Sequence, residues 1–83
     1  MNEVNYEQFL LELVKPLVVH PEEVMVKIFS DEDNCIDVQI MVNEDDLGRV
    51  IGKKGRVINS IRTIAYASAS RFGKKIEVSV DTF

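Results

Sequence analysis

Between Cys35 and Val42 the chain alternates without a break: Ile36, Val38, Ile40 and Val42 stand on one face, with Asp37, Gln39 and Met41 on the other. Side chains of a strand project to opposite faces with period two, so this run predicts a strand with one dry face and one wet face. The same signature runs from Val24 to Ser30, and it returns at the end of the chain, where Ile76, Val78 and Val80 alternate with Glu77, Ser79 and Asp81. Three half-buried strands need an apolar layer to lie against. The remaining periodic segments are helical, in the order helix, strand, strand, helix, helix, strand. The economical solution is a two-layer α+β domain, a three-stranded sheet with all helices packed on one face.

The first helix starts at Asn5, a good N-cap with Gln8 three residues on to reach back, and it carries Phe9, Leu10, Leu13, Val14 and Leu17 at helical spacing. Pro16 biases Lys15 out of the helical region, so the helix ends or kinks near Val14. His20-Pro21 is a second extended or turning pair, and His20 reads as a loop residue because the chain has no other His to join it as a ligand. Asp31, Glu32, Asp33 and Asn34 form a polar connector suited to a tight antiparallel turn. Asn43 caps a short helix to about Val50 or Ile51, with Glu44, Asp45 and Asp46 where the positive end of the helix dipole welcomes acids. A longer helix from Arg56 to about Phe72 buries Val57, Ile58, Ile61, Ile64, Ala65, Ser68, Ala69 and Phe72 over a wide arc, and Gly73 stops it in the left-handed conformation.

Eighty-three residues suit one domain, 1–83, which at this size buries only about 60 to 65% of the surface of the unfolded chain. No apolar stretch approaches the roughly 18 to 20 residues needed to span a bilayer, and Met1-Asn2-Glu3 is no signal peptide, so a cytoplasmic location without membrane contact is expected. Cys35 is the only cysteine, which excludes an internal disulfide and a cysteine-based zinc site and leaves it as a small packing residue. The net charge of −4 argues by itself against a polyanionic partner, but the charge is sorted. Residues 1–45 sum to −9 and residues 46–83 to +5, and from Leu47 through Ile76 there are eight Lys or Arg and no acid.

The basic segment is built around Val50-Ile51-Gly52-Lys53-Lys54-Gly55-Arg56-Val57-Ile58. Gly52 and Gly55 permit positive φ and close approach of a ligand to their amides, and the helix beginning at Arg56 aims the positive end of its dipole at the same place. Lys53 and Lys54 put positive charge on the tip, with Arg49 and Arg56 flanking it. The competing reading is a corner between two helices in which the glycines only make the bend. Two adjacent lysines where packing residues would otherwise stand, and apolar pairs anchoring both ends, favour an anion site. A nucleotide-hydrolysing phosphate loop is excluded, since three residues rather than four separate Gly48 from Gly52 and Lys53 is followed by Lys54. No acid, base and nucleophile are grouped for catalysis, so neither an enzyme nor a cofactor or metal is expected.

These features, with the helix order, resemble a type II KH domain along the whole chain. They are similar in particular to the small single-domain bacterial KH proteins of the KhpA family, which also share Val14-Lys15-Pro16-Leu17 and Leu47-Gly48-Arg49-Val50-Ile51-Gly52. The resemblance implies single-stranded RNA binding, the loop clamping the backbone of about four nucleotides. Gly52, Lys53, Lys54 and Gly55 would hold phosphates, Arg49 and Arg56 would support them, and Val50, Ile51, Val57, Ile58 and Ile40 are candidates for a groove floor under the bases. Asp31, Glu32 and Asp33, in the connector that borders the groove in such folds, would repel phosphates and weaken binding. Tyr66 is the only aromatic of the basic segment besides Phe72, so stacking platforms are few. On the long helix, Ser60, Ile64, Ala67 and Arg71 form a stripe that is either the edge of the core or a self-association surface. The resemblance further implies pairing with itself or with a larger KH-containing relative of the KhpB or Jag type, RNA chaperoning or post-transcriptional control, and a link to cell-envelope synthesis and cell shape. The runner-up is a protein-interaction adaptor on the same fold, which the acidic half favours. DNA binding by a helix-hairpin-helix fits less well with a sheet-backed helix.

Overall fold

The side chain of Asn5 accepts the Gln8 amide at 3.1 Å and starts α1, Tyr6–Val14, in a computed structural model that describes residues 5–29 and 34–83. Gln8 makes its own side-chain bond to Glu12 (3.0 Å) instead of returning to Asn5. Pro16 then converts the chain to a 3₁₀ turn, Lys15–Leu17, and a second such turn spans Pro21–Glu23. Strands β1 (Met25–Phe29) and β2 (Cys35–Val42) follow, then a capped turn at Glu44–Asp46, α2 (Leu47–Ile51), α3 (Arg56–Ser70) and β3 (Lys75–Thr82). The expected order and the two-layer α+β architecture are both present.

The sheet order is β1-β2-β3, with β2 in the centre. β1 runs antiparallel to β2, Met25 opposite Met41 and Phe29 opposite Asp37, while β3 runs parallel to β2 from Cys35–Lys75 to Val42–Thr82. A parallel neighbour requires the chain to cross back over the sheet, and α2, the glycine loop and α3 are that crossover. Gly73 (φ 71°) closes α3 as expected: its amide bonds Ser70 C=O and the Lys74 amide bonds Ala69 C=O, the two bonds of a Schellman cap. The helix therefore ends at Ser70, two residues earlier than its apolar pattern predicts.

The core joins Leu10 and Val14 of α1, Val38, Ile40 and Val42 of β2, Ile76 and Val78 of β3, and Ile58, Ile61, Ala65 and Ala69 of α3. Each branched side chain so buried contributes about 1.5–3 kcal/mol, and the two alanines let α3 settle near the sheet. Tyr6, outside the expected stripe, is buried one turn before Leu10. Three expected core residues are instead exposed: Leu17 (38%), Ile64 (44%) and Phe72 (44%). Leu17 lies in the turn after Pro16, off the axis of α1, and Phe72 lies past the end of α3. Ile64 sits roughly 100° around the helix from the buried Ala65, on the flank of the apolar arc. Among the described residues, no helix is long and apolar enough to cross a membrane.

Candidate functional site

The loop between α2 and α3 concentrates left-handed backbone: Gly52 (φ 78°), Lys54 (φ 56°) and Gly55 (φ 76°) all have positive φ within four residues. Its internal bonds are local. The Gly52 amide donates to Gly48 C=O at 2.8 Å, the Gly55 amide to Gly52 C=O at 3.1 Å and the Arg56 amide to Lys53 C=O. The Arg56 amide, expected to face outward at the helix start, is thus engaged, and the Lys53 and Lys54 amides take no part in these bonds. Lys54 holds a conformation that costs a non-glycine residue about 1–2 kcal/mol, and this places both lysine side chains in solvent.

The two glycines are not equivalent. Gly52 combines φ 78° with ψ 171°, a region closed to other residues, and a Cβ there would stand 2.5 Å from Val57 Cγ2 and 2.9 Å from its amide nitrogen. Gly55 adopts the ordinary left-handed conformation, with nothing nearer than 3.6 Å to an added Cβ. Gly52→Ala should accordingly cost about 2–4 kcal/mol and Gly55→Ala about 1 kcal/mol in urea unfolding.

Lys53, Lys54 and Arg56 are exposed and, among the described residues, form no ion pair. Arg49 differs, since its Nε lies 3.7 Å from Asp46 Oδ1. Asp46 is the surprise of this region. The sequence pattern makes it one of three acids at a helix start, yet it is fully buried and its two oxygens accept the amides of Val19 (2.9 Å) and His20 (3.0 Å). Burial by itself raises the Asp46 carboxyl. The two amides, with the attraction of His20 and Arg49, outweigh burial and set its pKa below the ordinary carboxylate value. Asp46 thereby ties the segment before β1 to the start of α2 and, through α2, to the glycine loop. The ring of His20 sits between acids, Nε2 3.6 Å from Asp45 and Nδ1 3.9 Å from both Glu22 and Glu23. Its ligand atom and those of Glu22 and Glu23 lie within 4.8 Å of one another, a grouping that counting histidines overlooks.

The expected groove floor does not hold as a whole. Ile40 and Val50 are fully buried and Ile58 is 5% exposed, so these three belong to the core, and only Ile51 and Val57 remain partly accessible beside the loop. The physical reason is the crossover: α2 and the first turn of α3 turn Val50 and Ile58 into the core that also covers Ile40 of β2. A different groove, about 350 Å³, opens between the second half of α3 and β3, lined by Tyr66, Ser70, Lys74, Lys75, Ile76 and Glu77. Arg62 spans the same seam, its Nε donating to Val78 C=O at 3.0 Å. Asp31, Glu32 and Asp33 lie outside the described residues. Asn34, which follows them, accepts the Lys75 amide at 2.8 Å, so it stands at the start of β3 and not at the end of β2 that leads to the glycine loop. Ser60, Ile64 and Ala67 are exposed on α3, and Arg71 is exposed at its C-terminal cap.

Comparison with known proteins bears on this geometry. The family model "KhpA/KhpB, KH domain" matches residues 7–80. A protein of Listeria monocytogenes serovar 1/2a named RNA-binding protein KhpA is 42% identical over 74 residues, covering 89% of this chain and 96% of the relative. Its namesakes in Streptococcus pneumoniae serotype 4 and Bacillus subtilis strain 168 are 36% and 34% identical, covering 90% and 96% of this chain and 92% and 98% of their own length. No solved structure matches the chain significantly.

Proposed function

Because the chain belongs to the family of KhpA/KhpB KH domains, we propose that it binds single-stranded RNA, the Gly52-Lys53-Lys54-Gly55 loop clamping the sugar-phosphate backbone. The observation that carries this reading is the loop itself, with strained backbone fixing two lysines in solvent at the start of α3 and no acid engaging them among the described residues. Arg56 adds a third uncommitted charge. Arg49 supports the loop from α2, where its contact with Asp46 holds it. Binding is non-catalytic and needs no cofactor: phosphates meet the lysines, and bases lie past Ile51 and Val57. The test is an anisotropy titration at low salt of one octanucleotide, first single-stranded and then in a duplex. Binding at least about tenfold tighter to the single strand is expected. Equal affinity for the duplex would remove the reading.

The same proposal includes self-association through Ser60, Ile64, Ala67 and Arg71, where small side chains around Ile64 allow a second helix to approach. Two loops on one RNA would raise avidity through effective concentration. A larger KH-containing partner of the KhpB or Jag type would use the same stripe. Sedimentation should find the native chain dimeric and Ile64→Asp monomeric, and monomers in both would dismiss the pairing. RNA chaperoning or post-transcriptional control in the cytoplasm, with a link to cell-envelope synthesis and cell shape, completes the reading on the strength of the family resemblance. The adaptor alternative is favoured by one surface, the open sheet face carrying Phe29, Asp37 and Glu77. Crosslinking the chain in cells and sequencing any attached nucleic acid separates the two.

A further inference from the structure

We propose that the open face of the sheet holds an arginine side chain of a partner protein, its guanidinium lying between Asp37 and Glu77 and against the ring of Phe29. This face is on the far side of the sheet from the helices and the glycine loop, so the proposal goes beyond RNA binding and does not rest on it. Alternation defines the face. Val26, Val38 and Val78 turn into the core, which leaves Lys27, Asp37 and Glu77, each one position away, in solvent.

Strand register puts three residues in one row across it: Phe29 of β1 pairs with Asp37 of β2, and Asp37 pairs with Glu77 of β3. Adjacent strands lie about 4.8 Å apart, so two carboxylates stand side by side. Like charges opposite one another destabilise a sheet, and among the described residues neither acid forms an ion pair. Beside them Phe29 is 52% exposed. The three residues, with Gln39 and Ser79 of the next row, line a cavity of about 330 Å³. A pair of repelling acids and a ring left in water are both unfavourable to the chain alone, and both become favourable once a cation lies between the acids and on the ring.

Chemistry selects the occupant. A guanidinium is planar, offers N–H donors along more than one edge and so serves two carboxylates at once, while its face stacks on an aromatic ring. A lysine ammonium is a point charge that cannot do both. The face has two lysines of its own in neighbouring rows, Lys27 opposite Gln39 and Lys75 opposite Cys35, and among the described residues neither forms an ion pair with the acids. They leave the acidic pair open and repel a run of positive charge, which favours one inserted arginine. Four positions along β1 from Phe29, Met25 is 48% exposed and pairs with Met41, an apolar patch on the same face. An extended segment with arginine and an apolar residue four positions apart covers both, which identifies the partner as a peptide chain and not a small cation.

The experiment follows the amide resonances of the chain by NMR during titration with the capped peptide Gly-Arg-Ser-Ser-Ser-Leu-Gly and with its lysine analogue, in the absence of RNA. The proteins are the native chain, Phe29→Leu, the double variant Asp37→Asn, Glu77→Gln, and the double variant Glu22→Gln, Glu23→Gln, which removes the same charge elsewhere; each is first checked for native circular dichroism. Expected are saturable shifts centred on Phe29, Asp37 and Glu77, affinity at least about threefold greater for the arginine peptide, and a loss of at least about tenfold in the Asp37, Glu77 variant, about 2- to 5-fold in Phe29→Leu and under about twofold in the Glu22, Glu23 variant. Without peptide, the Asp37, Glu77 variant should melt about 1–5 °C above the native chain, because the repulsion is gone. A lower melting temperature would show that the acids serve the fold and would overturn the site. Equal losses in the two double variants would reduce the attraction to net charge, and shifts centred on Glu22, Glu23 and Asp45 would put the arginine at another acidic surface; either result overturns the proposal. So does sedimentation in which Phe29→Leu abolishes a native dimer, since the face would then be covered by a second copy.

Discussion

Replacing Lys53 and Lys54 together with Asp should weaken binding of single-stranded RNA by on the order of 100-fold at low salt, and should flatten its salt dependence. Each reversal removes a phosphate contact and adds a like charge at the same point, an exchange worth about a factor of ten or more per residue. Three to five contacts to a single strand give a slope of log affinity against log salt of roughly −2 to −3.5, and losing two of them makes it shallower by about 1.4. The substitution is mild for the fold. Both side chains are exposed and unpaired among the described residues, and Asp tolerates the left-handed conformation of Lys54 better than most residues do. Titration at three or more salt concentrations, alongside thermal unfolding, checks both claims. An unchanged slope in a folded variant means that the RNA is held elsewhere.

The strands were legible because their period admits one reading: Ile36, Val38, Ile40 and Val42 cannot share a face in any other regular structure. Caps were legible for a similar reason, since Asn5, Asn43 and Gly73 act on backbone groups within a few residues. Periodicity shows that a face is apolar, but not whether it meets the core or a ligand. That distinction separates Val50 and Ile58, which are sealed in, from Ile51 and Val57, which are partly open, though all four flank the glycines in sequence. Ile64 fits both the apolar arc and the small-residue stripe in sequence, and only the direction in which α3 faces the sheet leaves it exposed. The groove beside Tyr66 exists because β3 is an edge strand with α3 over its seam, and no local pattern encodes an edge.

The sorting of charge along the chain acquires a spatial meaning once the crossover is known. The basic residues from Arg49 to Lys75 follow the path of the chain through α2, the loop, α3 and the start of β3. Of the acids before Asn43 that lie among the described residues, Glu7 and Glu12 are on α1, Glu22 and Glu23 in the turn at Pro21–Glu23, and Asp37 on β2. A net charge of −4 is therefore compatible with a polyanionic partner, because within about a Debye length of 8–10 Å a strand on the basic path is governed by its near neighbours.

One acid in the basic half has the opposite task, and its removal should have the largest effect on the fold. Asp46→Ala leaves the part-buried amides of Val19 and His20 without their acceptor, opens a void where the buried carboxylate stood and deprives Arg49 of its neighbour, so the melting temperature should fall by on the order of 10 °C. Asp46→Asn retains one acceptor oxygen but turns an NH₂ group toward the second amide, and it should fall between. The two variants also differ from the native chain in pH dependence. A carboxyl whose pKa is lowered on folding contributes stability that is fully present above its unfolded value of about 4 and is lost as pH falls through the lower folded value. The native melting temperature should therefore drop more steeply below pH 4 than that of Asp46→Asn, which has no proton to take up there. Because Asp46 connects residues 19 and 20 to the start of α2, the alanine variant should also loosen the glycine loop and weaken RNA binding at temperatures where the domain is still folded. Native-like RNA affinity in Asp46→Ala, accompanied by the expected drop in melting temperature, would confine Asp46 to stability and leave the loop positioned by Val50 and Ile58 alone.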